Sequence, residues 1–522
     1  AKVISETMPE DDPESCTGEE AMRLAKMIRS EFESRADTPP SQISRLTVEQ
    51  YRNAVADLIG SFPRSVAAES TGQLPEVPGL RGEYYQSRGM NKANQLAHYR
   101  SDTYMEFDFG TDGPVPSISA DQFAIIWEGG LRVEDTGHYE FRIRTPNGAR
   151  LYLNLDASPS RRGLRDDSSQ AGQHALIDEW VGSGKMREAS ARLYLLGGRT
   201  YPIRIEFFKY LEEKASISVE WKPPNGVWSV IDYNHTTTTR PPRLFVCATA
   251  FPADDRSLGF ERGSSASPQW QRATMLAASR AASEIVDRLP LLAGLDDEAG
   301  DAETKTDSAD RLDRVHAFAL EFAETAFRQP LRPHEREVVL GLVGSDDAAI
   351  ESGVRRAVTL ILMSPKFLYA DLTPTGEQPS PFAVASRLSL SLWDSIPDRE
   401  LYDAAKKGEL DTEERVRAHA RRMLRDERTK AKIRRFFRTW LELEDRDLAK
   451  DKQLFPQFDE AVIADLRRSL VLFIDDVVWS RESDYRQLLL ADYLMLNPRL
   501  RSLYSVDTED PVKPNNGSEI KR

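Results

Sequence analysis

The stretch TYPIRIEFF, Thr200 to Phe208, decides the fold. Tyr201, Ile203, Ile205 and Phe207 alternate with Arg204 and Glu206, the two-residue period of a strand with one face on a core. HYEFRIR repeats the pattern with Tyr139, Phe141 and Ile143 against Glu140, Arg142 and Arg144, and ISVEW does so through Ile217, Val219 and Trp221. Turn-forming residues separate these runs: Asp112-Gly113-Pro114, Asn147-Gly148, Gly197-Gly198 and Pro223-Pro224-Asn225-Gly226. Several half-buried strands divided by such turns predict an antiparallel sandwich or barrel whose other face meets water.

On both sides of this region the period lengthens to three or four. Before it, Thr47 and Gln50 form a capping box, and Leu46, Tyr51, Val55, Leu58 and Ile59 make one apolar stripe up to Gly60, which fits a left-handed helix stop. An earlier capping box, Thr17 and Glu20, starts a helix carrying Leu24, Ile28 and Phe32. After Arg240-Pro241-Pro242 the chain is expected to turn helical. Leu312, Val315, Phe318 and Phe322 form one stripe; Ile350, Val354, Val358, Ile361 and Leu362 form another; further helices are expected near 382–393, 412–424, 429–442 and 459–479. Asp296 to Asp310 and the polar run Asp156 to His174 read as surface loops. The predicted fold class is multidomain α+β: an antiparallel β-sandwich inserted between α-helical segments, with a C-terminal α-helical domain. Insertion implies that the helix of 44–60 packs against helices after 310.

Composition excludes several classes. The formal net charge of −14 over 522 residues disfavours phosphate backbones as partners, so no nucleic acid is expected. No apolar run reaches the roughly 20 residues of a transmembrane helix. The two cysteines, Cys16 and Cys247, have no metal-type spacing and read either as idle thiols or as one disulfide. The seven histidines form no H-E-x-x-H or close pair, and no G-x-S-x-G elbow occurs. Gly182-Ser183-Gly184-Lys185 lacks the upstream glycine of a phosphate loop, and Asp108 to Gly113 lacks a calcium loop's closing glutamate. No catalytic residue is assigned. The chain begins at Ala1 without a secretion leader and ends on a polar run, so both ends are expected to be cut from a longer chain, or a leader to have been removed.

From GLRGEYY (79–85), through FAIIWEGGLRVEDTGHYEFRIRTPNGARLYLN (123–154), LIDEW (176–180) and GGRTYPIRIEFF (197–208) to ASISVEW (215–221), the chain resembles the protective-antigen-like β-sandwich domain. The flanks SRLTVEQYRNAVADLIG, FAETAFRQPLRPHEREVV with AVTLILMSPKFLY, FAVASRLSLSLWDSIPDRELYDAAKKGEL, FPQFDEAVIADLRRSLVLFIDDVVW and ADYLMLNPRL are similar to modules of planctomycete-type cytochrome-c-associated surface proteins of unknown function. Together they divide the chain into 1–36, the tail of a truncated cytochrome-c-like domain; 43–75, a short helical domain; 76–238, the sandwich; 243–371 and 379–504, two helical domains; and 505–522, a polar tail.

The resemblance implies a periplasmic or cell-surface location and c-type cytochrome domains as partners, with haem c in parts of the protein outside this chain. No CxxCH is present here, so no cofactor is assigned to the chain itself. Met8-Pro9 before a helix is similar to the loop that supplies a weak axial methionine to haem iron; Met8 reads either as that ligand, with the attachment segment upstream, or as an ordinary loop methionine. Lectin members of the sandwich family hold calcium on two adjacent aspartates. The corresponding loop here, Thr145-Pro146-Asn147-Gly148, lacks them, so a calcium site is not carried over. Asn147, Asp178 and Trp180 are the candidate ligand-binding residues, against the alternative of a hairpin turn and a core tryptophan. The basic run from Arg421 to Arg435 reads as the wet side of paired helices, or as a face for an acidic partner or lipid headgroups.

These readings lead to a non-catalytic binding or scaffold module for a polysaccharide or cell-envelope ligand within a haem-associated protein. The alternative is an electron-transfer or redox subunit.

Overall fold

The computed structural model describes residues 44–62, 77–155, 175–257, 259–264, 266–295, 308–370, 379–443 and 448–505, with isolated positions 19, 22, 23 and 26. Met8, Cys16 and the 156–174 insertion lie outside the described residues, as do most of the first helix and positions 296–307 of the acidic stretch.

The middle of the chain is an antiparallel sandwich. One sheet has seven strands in the order β2 (Leu96–Asp102), β1 (Leu80–Tyr85), β4 (Gln122–Val133), β9 (Arg199–Tyr210), β6 (Gly148–Leu153) and β7 (Ile177–Glu179), with β12 (Thr236–Thr237) continuing the β1 edge of β4. The other has five: β11 (Ser229–Val230), β10 (Ala215–Lys222), β5 (Gly137–Thr145) and β8 (Arg187–Leu195), with β3 (Glu106–Gly110) also on β10. The alternating residues read from sequence face inward: Tyr201, Ile203, Ile205 and Phe207 join Tyr139, Phe141, Ile143, Val219 and Trp221 in one core with Trp127.

The second face does not meet water as expected. Arg204 and Glu206 are buried. Arg204 donates to Glu128 (2.6 Å) and Glu206 (2.7 Å), so the polar side chains of the central strands satisfy one another. Beside them Tyr85, Ala124, Ile126 and Phe208 form a small second apolar cluster, completed by Trp180. Asn147-Gly148 is not a hairpin either, because β5 and β6 lie in opposite sheets and the link crosses the sandwich.

The helix before the sandwich and the helices after it form one bundle. Helix α1 (Val48–Gly60) shares a core with α2 (Pro268–Asp287), α3 (Ser308–Phe327), α4 (Pro333–Val343) and α5 (Ile350–Met363). Tyr51 sits between Phe251 and Phe367, and Phe62 packs on Phe318 and Phe322. This is the contact that insertion requires. The Thr47–Gln50 capping box is present, and Asp254 holds the α1 amino end through the Val48 amide (2.6 Å) and Arg45 (2.7 Å). Gly60, however, is the last ordinary helical turn; Ser61 closes the helix with its hydroxyl on the Leu58 carbonyl (2.8 Å). Among the described residues of 241–267 there is no helix, and the first begins at Pro268, later than the sequence predicts.

A second helical unit contains α6 (Pro381–Trp393), α7 (Arg399–Lys406), α8 (Glu413–Met423), α9 (Glu427–Trp440) and α10 (Glu460–Val478), with a core of Ala385, Trp393, Leu401, Ala404, Ala405, Leu410 and Met423. Among the described residues no helix is long and apolar enough to cross a membrane.

Candidate ligand cleft between the sandwich and the C-terminal helices

The polar face of α1 joins all three units. Asp57 accepts three bonds from Arg199 of β9 (2.9, 3.0 and 3.1 Å), one from Arg428 of α9 (3.1 Å) and one from Ser395 (2.6 Å). One turn or two earlier, Asn53 and Glu49 lie on the same side, and Glu49 pairs with Arg435 of α9 (3.2 Å) and accepts from Thr136 (2.6 Å). Arg428 also lies over the Trp393 ring, 3.7 Å from its centroid. Burial alone would raise the Asp57 carboxyl; Arg199 and Arg428 outweigh it and hold the group below its ordinary range. The basic run of α9 is thus mostly an internal clamp. Arg428, Arg434 and Arg435 find their acids on the sandwich, on other helices and, at Glu261, on the segment before α2, so the acidic partner is the chain's own.

Below this clamp the sandwich and α10 part to leave a cleft of about 560 Å³. That volume lies within the roughly 300–1,000 Å³ of small-molecule sites. The sandwich wall is built where β10 ends. Pro223 and Pro224 stop the strand, Asn225 takes a left-handed conformation (φ 58°), and the Gly226 amide closes the turn on the Pro223 carbonyl (3.0 Å). A side chain at Gly137 would begin 2.7 Å from the Pro224 ring, so glycine lets the turn lie against β5. Behind it Trp221 stacks on Tyr139 (5.4 Å) and meets the His235 ring edge-on (4.8 Å). Asp232 orients the imidazole, with Oδ1 2.9 Å from Nδ1. Burial tends to raise the Asp232 carboxyl, but the bond to His235 brings it below its usual range.

Helix α10 supplies the facing wall. Ala464, Arg467, Arg468 and Val471 recur at three- and four-residue steps and therefore share a face. Arg468 donates to Glu134 of the sandwich (2.7 Å), which also pairs with Arg434 (3.3 Å). Burial works against ionisation of Glu134, yet the two guanidinium groups hold its pKa at about 2. Asp135 pairs with Arg438, and Asp465 with Arg499 (2.7 Å). Leu443, Val471 and Val227 add apolar lining, while Asn225, Asn234 and Asn497 add amides. The cleft can hold a polar ring compound between an aromatic edge and hydrogen-bonding side chains. Among the described residues no three His, Cys, Asp or Glu side chains group as a metal site.

The residues singled out from sequence lie elsewhere. Asn147 is fully buried and structural. Its amide donates to the Lys214 carbonyl (3.1 Å), its side-chain oxygen accepts from the Ser216 amide (3.1 Å), and its carbonyl accepts from Arg187 (2.8 Å). Asp178 and Trp180 do come together, through Arg150: its Nε donates to Asp178 (2.9 Å) and its guanidinium lies 4.5 Å from the Trp180 ring, which packs on Phe208. That cluster is self-satisfied on the outer face of β6 and β7. The cleft residues escaped sequence reading because their walls are distant in the chain; Arg468 and Glu134 are 334 positions apart. The one legible signal was the Pro-Pro-Asn-Gly turn.

The fold is an antiparallel β-sandwich framed by helices. Residues 76–234 match the PA14 domain model, residues 314–371 the model described as protein of unknown function (DUF1595), and residues 380–506 that described as protein of unknown function (DUF1592). The chain is similar to the anti-sigma-I factor RsgI3 of Acetivibrio thermocellus, 29% identical over 162 residues, 31% of this chain and 22% of that protein. Among solved structures it is similar to an anti-sigma factor domain-containing protein from Clostridium clariflavum, with 20% identity, 35% of this chain and 57% of that one covered, and a TM-score of 0.26. It is also similar to a PA14 sugar-binding domain from an RTX adhesin, with 16% identity, 31% and 99% covered, and a TM-score of 0.25. The chain spans about a fifth of the curated relative and just over half of the first of these structures.

Proposed function

We propose that this chain is a non-catalytic binding module of the cell envelope that holds a saccharide in the cleft between its PA14 sandwich and α10. The observation that carries the reading is the cleft itself: about 560 Å³, lined by His235, Asn225, Asn234 and Asn497, with the buried Trp221 behind His235. Aromatic edges with a few placed amides suit the apolar faces and hydroxyls of a sugar ring. The match to the PA14 model supports the ligand class, since lectins occur in that family. Recognition in the cleft does not use the paired aspartates that this chain lacks. The flanking DUF1595 and DUF1592 segments serve, in this reading, as the frame that forms the second wall within a larger haem-associated surface protein.

The test is a glycan array on the full chain, followed by calorimetric titration of the best ligand. The native protein should bind saccharides, and Ala464→Trp, which fills the cleft from the α10 side, should abolish binding while the thermal unfolding midpoint stays within a few degrees. Unchanged binding by Ala464→Trp would place the ligand elsewhere.

A further inference from the structure

The charges lining the cleft are almost all paired within the protein. Glu134 takes Arg434 and Arg468, Asp135 takes Arg438, Asp465 takes Arg499, and His235 takes Asp232. Arg467 is different. It lines the cleft from the middle of α10, and it has no hydrogen-bond or ion-pair partner among the described residues. Its Nε is shut off from solvent with no acceptor. A covered N–H left without an acceptor costs about 1–3 kcal/mol, so such groups call for an explanation. The chain is not short of acids: its net charge is −14, and every other α9 or α10 arginine in the clamp has found one. The excess positive charge in the cleft therefore sits on one guanidinium that faces the sugar-sized space.

We propose that Arg467 receives the anionic group of an acidic saccharide, a ring carboxylate or a sulfate ester, so that the cleft selects charged over neutral glycans. This rests on the cleft being the saccharide site. A guanidinium presents parallel N–H donors that match two oxygens of a carboxylate or sulfate, and such charge-assisted pairs are the stronger hydrogen bonds. Ala464, one turn earlier on the same face, leaves room for the ring that bears the group. Arg468 beside it is held by Glu134 at 2.7 Å and keeps the local potential from becoming more positive.

The experiment titrates the whole 522-residue chain with tri-galacturonate, a carrageenan tetrasaccharide and neutral galactotriose, at low and moderate salt. At least one acidic ligand should bind about tenfold or more tighter than the neutral one, with affinity falling as salt rises, and inorganic sulfate should compete with the acidic ligand alone. Which acidic probe binds separates the carboxylate from the sulfate source. Arg467→Gln should bring the affinity for the acidic ligand down about tenfold, to that for the neutral one, and Arg467→Lys should restore part of the preference. If Ala464→Trp abolishes binding but Arg467→Gln keeps the preference, or acidic and neutral ligands bind alike, the anion assignment is overturned and the cleft stands as a sugar site. If binding survives Ala464→Trp, or no saccharide binds, the cleft reading falls and this assignment with it.

Discussion

Asp57 is the residue on which the three units depend most. Three of its partners, Arg199, Ser395 and Arg428, lie on the sandwich, the C-terminal unit and its basic helix. Asp57→Asn leaves two largely covered guanidinium groups without their shared carboxylate, and breaking such a pair costs about 3–5 kcal/mol. A drop of that size in denaturant unfolding is the expected outcome; a change below about 1 kcal/mol would show the clamp to be incidental. Gly148 makes a purely steric case. A side chain there would begin 1.9 Å from the Phe208 ring, whose neighbours are Trp180 and Ile126. Gly148→Ala is expected to destabilise the sandwich by about 1–3 kcal/mol through overpacking, read as a lowered thermal midpoint with the helical signal little changed.

At the scale of elements, α9 is a basic helix turned inward. Its amino end lies directly on the β8–β9 turn: a side chain at Gly198 would begin 2.7 Å from the Arg428 Cα and from the Glu427 carbonyl. Gly198 also has φ 68°, a conformation that glycine adopts without strain. Gly198→Ala should therefore push α9 off the sandwich while each unit keeps its own core. Calorimetry should resolve two transitions in the variant where the native chain shows coupled unfolding. A single unshifted transition would mean that the two elements do not need this close approach.

Over the whole molecule, ion pairs join the units beside the apolar core that Leu390 and Ile396 share with the first bundle, and they make the assembly sensitive to acid. Glu134 is held at about 2, and Asp57 and Glu261 also lie below the ordinary carboxylate range, each because arginine partners outweigh burial. A carboxyl whose folded pKa is depressed stabilises the fold fully above its unfolded value, about 4, and that contribution is lost as pH falls towards the folded value. Between about pH 4 and pH 2 the C-terminal helices are expected to separate from the sandwich. Small-angle scattering should show an increased radius while far-UV dichroism retains strand and helix signals. An unchanged radius down to pH 2 would show that apolar contacts dominate the junction.

The sequence by itself determined the elements, because periodicity is a local property. Tyr201 to Phe207 could alternate only as a strand, the stripe from Leu46 to Ile59 only as a helix, and the change of period marked where the sandwich enters the bundle. Insertion even implied the meeting of α1 with later helices, since a short amphipathic helix needs an apolar surface to cover it. Local pattern could not say which polar residues would be buried. Arg204, Glu206 and Asn147 read as solvent-facing or turn positions, yet they lie inside networks whose partners come from other strands. The cleft was still less accessible to sequence, for its walls come from a turn after β10 and a helix far down the chain. Only the tertiary structure brought them together, because charge pairing acts through space: it turned the basic run into a clamp and left Arg467 as the cation in the cleft with no partner among the described residues.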